Sequence, residues 1–142
     1  MPGASRSIVI SASADRVFDV ISAYQTYPEF MSEVKEIKIS NHKDNQVDVH
    51  YKVDLVKSIK YSLRMTEERP AKLSWSFIEG EFMKDNKGSW ALEPAGERQT
   101  KVTYTVELAL GPLVPKTLVN AMVETSLPKM LDAVKKRAEM GK

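Results

Sequence analysis

Residues 46–65 read QVDVHYKVDLVKSIKYSLRM, and this stretch decides the fold. Apolar and polar side chains alternate along it on both sides of a break near residues 56–58. A period of two is typical of a strand with one buried face, so the stretch predicts a β-hairpin. The predicted inward face carries Val47, Val49, Tyr51, Val53 and Leu55 before the break and Ile59, Tyr61, Leu63 and Met65 after it, whereas Asp48 and His50 face outward.

The sequence before this hairpin predicts a strand, two short helical segments and a second strand. Alternation over residues 5–11 indicates the first strand. Ser13 is expected to cap a helix over residues 14–23, because its hydroxyl can accept a hydrogen bond from the first helical turn. Residues 24–31 are aromatic and broken by Pro28, which favours a helical turn or loop, and the next strand begins at Val34.

The sequence after the hairpin continues the alternation through several more strands. One strand with large inward side chains ends at Gly80. The composition of residues 84–88 (KDNKG) predicts a turn, with Gly80 and Gly88 as turn residues. The return strand begins at Trp90, and a last long strand is predicted over residues 102–110.

Beyond Pro115 the apolar residues recur at helical spacing. Pro128 should kink this long C-terminal helix, because proline removes one backbone hydrogen bond. The predicted apolar face comprises Leu118, Val119, Met122, Val123, Leu127, Met130, Leu131 and Val134.

The order of these elements predicts an α+β fold. A sheet with one apolar face must be covered, and the C-terminal helix is the only predicted element long enough to cover it. Twist curls such a sheet around the helix. We therefore predict a curved antiparallel sheet of about six to seven strands that grips a long C-terminal helix, with two short helices after the first strand. We expect residues 1–142 to form a single domain.

Composition excludes several classes of function. The 142 residues include no cysteine, so neither a disulfide framework nor a thiolate metal site can form. A net charge of +2 is too small to predict nucleic-acid binding, and His42 and His50 are expected at the solvated surface rather than at a metal site. No phosphate- or dinucleotide-binding motif predicts a cofactor. The chain shows no apolar leader segment and no membrane-spanning run, which predicts a cytoplasmic protein.

The inward faces of the predicted strands carry unusually large rings, and two explanations remain open. The rings could fill the space between sheet and helix as an ordinary core, or they could line a cavity that the helix leaves uncovered. The inward tyrosines favour a cavity somewhat, because each buried phenol needs a hydrogen-bond partner. The rings are Tyr51, Tyr61, Trp75, Phe77, Trp90 and Tyr104.

Several motifs resemble one known group of proteins along nearly the whole chain. The motifs are IVISASADRVF (residues 8–18), YPEFM (27–31), GEF (80–82), GSWALEP (88–94) and TKVTY (100–104). They resemble the START/Bet v 1-like helix-grip superfamily, and within it the polyketide cyclase-like and coenzyme Q-binding proteins. The resemblance implies a pocket for a lipid, isoprenoid or ubiquinone-like molecule. It also leaves open a polyketide cyclase or dehydratase, and an interaction protein like the ribosome-association toxins.

We expect binding of a hydrophobic small molecule between the sheet and the C-terminal helix. No catalytic residue is predicted, because the assigned inward faces carry no carboxylate; for the cyclase alternative, Tyr61 and Tyr104 could serve as acid–base groups. Tyr27, Phe30 and Met31 could form a pocket mouth that transiently touches a membrane, or could staple the short helices to the sheet. The predicted ligand contacts are Val53, Tyr61, Leu63, Trp75, Phe77, Trp90, Tyr104, Val106, Met122 and Met130.

Overall fold

Alternating apolar side chains along the chain are brought together by one antiparallel sheet. A computed structural model describes residues 3–54, 58–111, 114 and 116–140, except for the side chains at 118, 119 and 121–123. The strands of the described residues are β1 (Gly3–Ile10), β2 (Val34–Lys43), β3 (Gln46–Asp54), β4 (Ser58–Glu68), β5 (Lys72–Gly80), β6 (Met83–Gly96) and β7 (Gln99–Leu110). The helices are α1 (Ala14–Ser22), a 3-10 turn (Tyr24–Thr26), α2 (Tyr27–Phe30), α3 (Lys116–Ala121), a π-helical segment (Met122–Ser126) and α4 (Leu127–Met140).

The strand order in the seven-stranded sheet is β1-β7-β6-β5-β4-β3-β2, and every neighbouring pair is antiparallel. Strands β1 and β2 are therefore consecutive in sequence but lie at opposite edges. The segment between them, which contains α1 and α2, must cross the sheet from one edge to the other. This architecture confirms the predicted α+β fold, with its curved antiparallel sheet, long C-terminal helix and two short helices after the first strand.

Helix α1 forms where the sequence predicts it. The Ser13 hydroxyl accepts a hydrogen bond from the Arg16 backbone N–H at 3.2 Å, which satisfies one of the free donors of the first turn. Its apolar stripe of Val17, Phe18 and Ile21 is fully buried. Because this stripe packs on one part of the sheet and on α4, it closes that end of the interface.

The C-terminal helix is interrupted close to Pro128. Five residues, Met122–Ser126, have π-helical hydrogen bonding between α3 and α4. Pro128 has no N–H to bond the carbonyl four residues earlier, so the regular α-helical pattern cannot run through this point. Leu127, Leu131 and Val134 on α4 are buried against the sheet, as the helical spacing predicts.

The prediction of a turn at residues 84–88 is wrong. These residues belong to β6, which pairs with β7 from Met83 onward, and the turn lies at residues 81–82 instead. Gly88 is an interior strand residue, because a Cβ atom there would lie 2.1 Å from the Thr105 carbonyl and 2.7 Å from the Trp75 ring. Its glycine serves close packing rather than a turn.

Two carboxylates lie in environments that the sequence did not predict. Asp48 faces the outer side of the sheet but is only 4% exposed, because Arg64 pairs with it at 2.8 Å and Asn41 donates to it at 2.9 Å. The Arg64 hydrogen bonds hold the pKa of Asp48 below its usual value. Glu67 continues the inward face of β4 and accepts a hydrogen bond from the Tyr24 hydroxyl at 2.6 Å. The expectation of inward faces without a carboxylate was therefore wrong at this position.

Candidate ligand cavity

A cavity of about 720 Å³ lies between the inner face of the sheet and the C-terminal helix. This volume falls within the usual range of small-molecule sites, about 300–1,000 Å³. Its interior is mostly apolar. Residues that line it include Val53 and Ile59 beside the β3–β4 connection, Val106 and Leu108 on β7, and Leu127 and Met130 on α4.

The cavity exists because the sheet is covered unevenly along its length. Along β7 the inward residue Val102 is fully buried, whereas Val106, Leu108 and Leu110 are only half-buried. Thr100, two residues before Val102, donates its hydroxyl to the Ala12 carbonyl just before α1 begins, whereas the three later residues line the cavity. The same strand therefore contributes first to a packed core and then to a cavity wall.

Five of the predicted ligand contacts line the cavity: Val53, Tyr61, Tyr104, Val106 and Met130. Two of the predicted mouth residues, Phe30 and Met31, also line it. These residues come from β3, β4, β7, α4 and the end of α2, so only the folded sheet and helix bring them together.

The remaining predicted residues lie elsewhere. Trp75 and Trp90 are 7% and 3% exposed, and the cavity lining includes neither of them nor Leu63 or Phe77. Tyr27 is buried and donates its hydroxyl to the Ile21 carbonyl, so it links α2 to α1. The side chain of Met122 lies outside the described residues.

The hydroxyl groups of Tyr61 and Tyr104 open into the cavity. Neither hydroxyl has a hydrogen-bond partner among the described residues, where every fully enclosed side-chain polar atom does have one. Their oxygens must therefore be accessible, and both residues line the cavity, while Tyr61 also borders a second hollow. Burial raises the pKa of both phenols above the ordinary value near 10, so both are neutral at physiological pH.

Asn86 is a polar cavity residue that the sequence interpretation missed. It is 7% exposed, lines the cavity and accepts a hydrogen bond from the Trp75 indole N–H at 2.9 Å. Asn86 was missed because residues 84–88 were predicted to form a turn. Counting back by two from Leu92 and Trp90 would have placed Gly88 and Asn86 on the inward face, and a buried Trp75 would have required an acceptor.

In the part of the chain that the structure describes, the rim of the cavity carries charged side chains and two exposed large apolar ones. Arg137 on α4 pairs with Glu29 on α2 at 2.8 Å and lies 5.0 Å from the centre of the Phe30 ring. Phe82 in the β5–β6 turn is 40% exposed, and Met140 near the end of α4 is 76% exposed. Among the described lining residues these two are the exposed large apolar side chains, whereas Phe30 is half-buried and Met31 is 7% exposed.

A second hollow, of about 530 Å³, lies on the outer face of the sheet and is lined mainly by charged residues. His50 is half-buried there: its Nε2 lies 2.7 Å from Ser40 Oγ and its Nδ1 2.7 Å from Ser62 Oγ. His42 is exposed. Predicted as a solvated residue, His50 is instead held between two serines.

None of the helices in the described ranges has the length and apolar character needed to cross a membrane. A search of curated proteins found no significant match. The family described as polyketide cyclase / dehydrase and lipid transport matches residues 1–139.

Solved structures with the same fold include both an aromatase/cyclase and a lipid transfer protein. The Zhui aromatase/cyclase from a Streptomyces species is 16% identical with a TM-score of 0.88, covering 97% of this chain and 93% of its own. A START superfamily protein from Mycobacterium smegmatis is 16% identical with a TM-score of 0.86, covering 99% of both chains. A STAR-related lipid transfer protein from Xanthomonas axonopodis is 16% identical with a TM-score of 0.80, covering 96% of this chain and 85% of its own. The chain therefore belongs to the polyketide cyclase / dehydrase and lipid transport family, and it shares its fold with these solved structures.

Proposed function

We propose that this protein binds a mainly apolar small molecule, such as a lipid, an isoprenoid or a ubiquinone-like compound, between its sheet and its C-terminal helix. The observation that carries the proposal is the apolar cavity of about 720 Å³. Transfer of apolar surface from water into such a cavity contributes about 25 cal/mol per Å², before the cost of association. A ligand that fills the cavity would therefore gain much of its affinity from burial alone.

The cavity volume limits the ligand. A volume of about 720 Å³ lies within the range of drug-sized ligand sites, about 300–1,000 Å³. A long polyprenyl tail would exceed this space. Such a ligand would leave part of its tail outside, at the rim where Phe82 and Met140 are exposed.

The charge state of the cavity favours binding over catalysis. Tyr61 and Tyr104 remain neutral because burial raises the pKa of each phenol, so neither supplies a phenolate base at neutral pH. Of the four carboxylates among the described lining residues, Glu29, Glu81 and Asp132 are exposed and Glu33 is half-buried. Neutral polar groups in an apolar wall suit the recognition of an uncharged ligand.

A cavity-filling substitution tests this proposal. Val106→Trp places a bulky ring in the cavity, whereas Val9→Trp adds the same ring at a position on β1 that is 47% exposed and lies outside the cavity lining. Binding of the neutral probe N-phenyl-1-naphthylamine, followed by its fluorescence, should fall at least tenfold in Val106→Trp and remain unchanged in Val9→Trp. Equal affinity in the wild type and both variants, or no binding by the wild type, would contradict the proposal.

Cyclisation or dehydration of a polyketide is the second candidate function. The observation that favours it is a pair of tyrosines that line one cavity and whose hydroxyls have no hydrogen-bond partner among the described residues, since a phenol can donate a proton to a substrate carbonyl. Incubation with a poly-β-ketone substrate should then give cyclised product, detected by mass spectrometry. Product formation should be lost in Tyr61→Phe or Tyr104→Phe, and absence of product with the wild type would eliminate this candidate.

A further inference from the structure

Asn86 is a buried polar side chain, and within the described residues only the oxygen of its amide has a hydrogen-bond partner. Its Oδ1 lies 2.9 Å from Trp75 Nε1. An indole N–H can only donate, so the amide atom that faces Trp75 must be the oxygen. The orientation of the amide follows from this chemistry, which leaves the NH₂ group turned away from Trp75.

Strand pairing fixes this orientation. Trp75 on β5 lies directly opposite Gly88 on β6, two residues from Asn86. A Cβ atom at position 88 would lie 2.7 Å from Trp75 Cζ2, so the indole occupies space that only glycine leaves free. The ring therefore lies across β6 with its N–H beside Asn86. The buried residues around the ring restrict it to this orientation.

The amide NH₂ group faces the cavity. Within the described ranges Nδ2 has no hydrogen-bond partner, while every fully enclosed polar side-chain atom there has one, so Nδ2 must be accessible. Asn86 is 7% exposed and is part of the cavity lining, so the accessible space next to Nδ2 is the cavity. An amide NH₂ can donate two hydrogen bonds and accept none.

We infer that the ligand carries a neutral acceptor oxygen, such as a ketone, quinone or ester carbonyl, that Asn86 Nδ2 binds. This inference rests on the proposed binding function. A buried donor left unpaired is costly, so a ligand that fills the cavity must offer it an acceptor. The neutral hydroxyls of Tyr61 and Tyr104 can donate in the same cavity.

A carboxylate head group is disfavoured at this position. Of the three basic residues among the described cavity lining, Lys136 and Arg137 are already paired with Asp132 and Glu29 at 3.0 Å and 2.8 Å, and Lys129 is exposed to solvent. An ion beside Asn86 would lose its hydration without gaining a counter-charge, whereas a carbonyl loses far less.

A matched pair of probes tests the inference: 2-tridecanone and tridecane, which differ by one carbonyl. Each displaces N-phenyl-1-naphthylamine from wild type and from Asn86→Leu, and the ketone-to-alkane affinity ratio is compared between the two proteins. This ratio should fall about three- to tenfold in Asn86→Leu, the usual effect of one lost hydrogen bond. Trp75→Phe keeps Asn86 but removes the N–H that orients its amide, so the ketone-to-alkane affinity ratio should also fall in this variant. In the control Trp90→Phe the ratio should stay unchanged.

The outcomes separate this inference from the function on which it rests. If the wild type binds neither probe, the proposed function fails. If it binds both and the ratio is the same in Asn86→Leu, the cavity stands and the acceptor inference is overturned. Should a variant not fold, the wild type still decides: the Asn86 side-chain amide protons should shift downfield on adding the ketone and not the alkane, and identical shifts would overturn the inference.

Discussion

The two ends of the interface between sheet and C-terminal helix are built from similar residues and behave differently. At one end, which we call the packed end, α1 closes over the sheet and α4; its fully buried side chains include Ile10, Phe18, Leu73, Val102, Leu131 and Val134. At the other, the open end, Val53, Ile59, Tyr61, Asn86, Val106 and Met130 line the cavity.

This difference shows that coverage, not residue type, decides between core and cavity. Val102 and Val106 lie four residues apart on the same face of β7, yet the first is 0% exposed and the second is half-buried beside the cavity. At the packed end the Thr100 hydroxyl donates to the Ala12 carbonyl just before α1 begins, and α1 packs on β5, β6, β7 and α4. A binding site can therefore arise within a standard sheet-and-helix layer without any special residue class.

Raising the pH should have the largest effect on the free energy of unfolding. It should also show how far water enters the open end. Burial is the main cause that raises the pKa of all five tyrosines in the folded protein, whereas unfolded tyrosine titrates near 10. Above pH 10 the unfolded chain therefore binds fewer protons than the folded one. Stability is complete below this pH and falls above it, by up to about 1.4 kcal/mol per pH unit for each tyrosine.

Tyrosinate absorbance and circular dichroism should accordingly change together on alkaline titration. If Tyr61 and Tyr104 ionise near pH 10 while the dichroism is still native, water fills the open end freely and the two ends differ more than described. Tyr24 and Tyr27, whose hydroxyls are bonded to Glu67 and to the Ile21 carbonyl, serve as the internal reference.

The second-largest effect should come from truncating neighbouring side chains on α4, because the loss in free energy of unfolding should differ between the packed end and the open end. Leu131 is 1% exposed in the packed end, so Leu131→Ala should lower the free energy of unfolding by about 2–5 kcal/mol. Met130 is half-buried at the cavity, and Met130→Ala leaves no new void within a packed core, so its cost should be about 1 kcal/mol or less. Urea unfolding checks both values, and similar losses would mean that the cavity end is packed as well.

Removal of single tyrosine hydroxyls should give the smallest difference in the free energy of unfolding between the two ends. Tyr24→Phe deletes a hydrogen bond of 2.6 Å to the Glu67 carboxylate and should cost about 1–2 kcal/mol. Tyr61→Phe deletes a hydroxyl with no partner among the described residues, so the free energy of unfolding should change by about 0.5 kcal/mol or less. A loss in Tyr61→Phe as large as that in Tyr24→Phe would contradict an open cavity at this position.

The sequence was sufficient for the fold because its signals are local. Alternation along residues 46–54 and 58–65, the Ser13 cap and the helical spacing around Leu131 each depend on nearby residues, and each is found in the structure; residues 55–57, with the predicted inward Leu55, lie outside the described residues. The error at residues 84–88 has a physical cause. Lysine, aspartate, asparagine and glycine suit a turn, but Asn86 and Gly88 are needed on the strand to accept the Trp75 N–H and to leave room for its ring.

The cavity could not be settled from the sequence, because it depends on where α1 ends relative to the strands. Trp75 and Tyr61 are both large inward rings, yet Trp75 is buried behind Asn86 and Tyr61 faces the cavity. Alternation assigns a face to a side chain but not a position along the covering helix. Glu67 was missed for a related reason, since its partner Tyr24 is 43 residues away in the chain.

Nuclear Overhauser contacts between 2-tridecanone and methyl-labelled protein would test the central claim most directly. The claim is that ligand enters the open end and leaves the packed end untouched. We expect contacts from the bound ketone to the methyl groups of Ile59, Val106 and Met130, and none to Leu131 or Val134. Contacts to Leu131 and Val134, or binding without any contact to Val106 and Met130, would contradict the account.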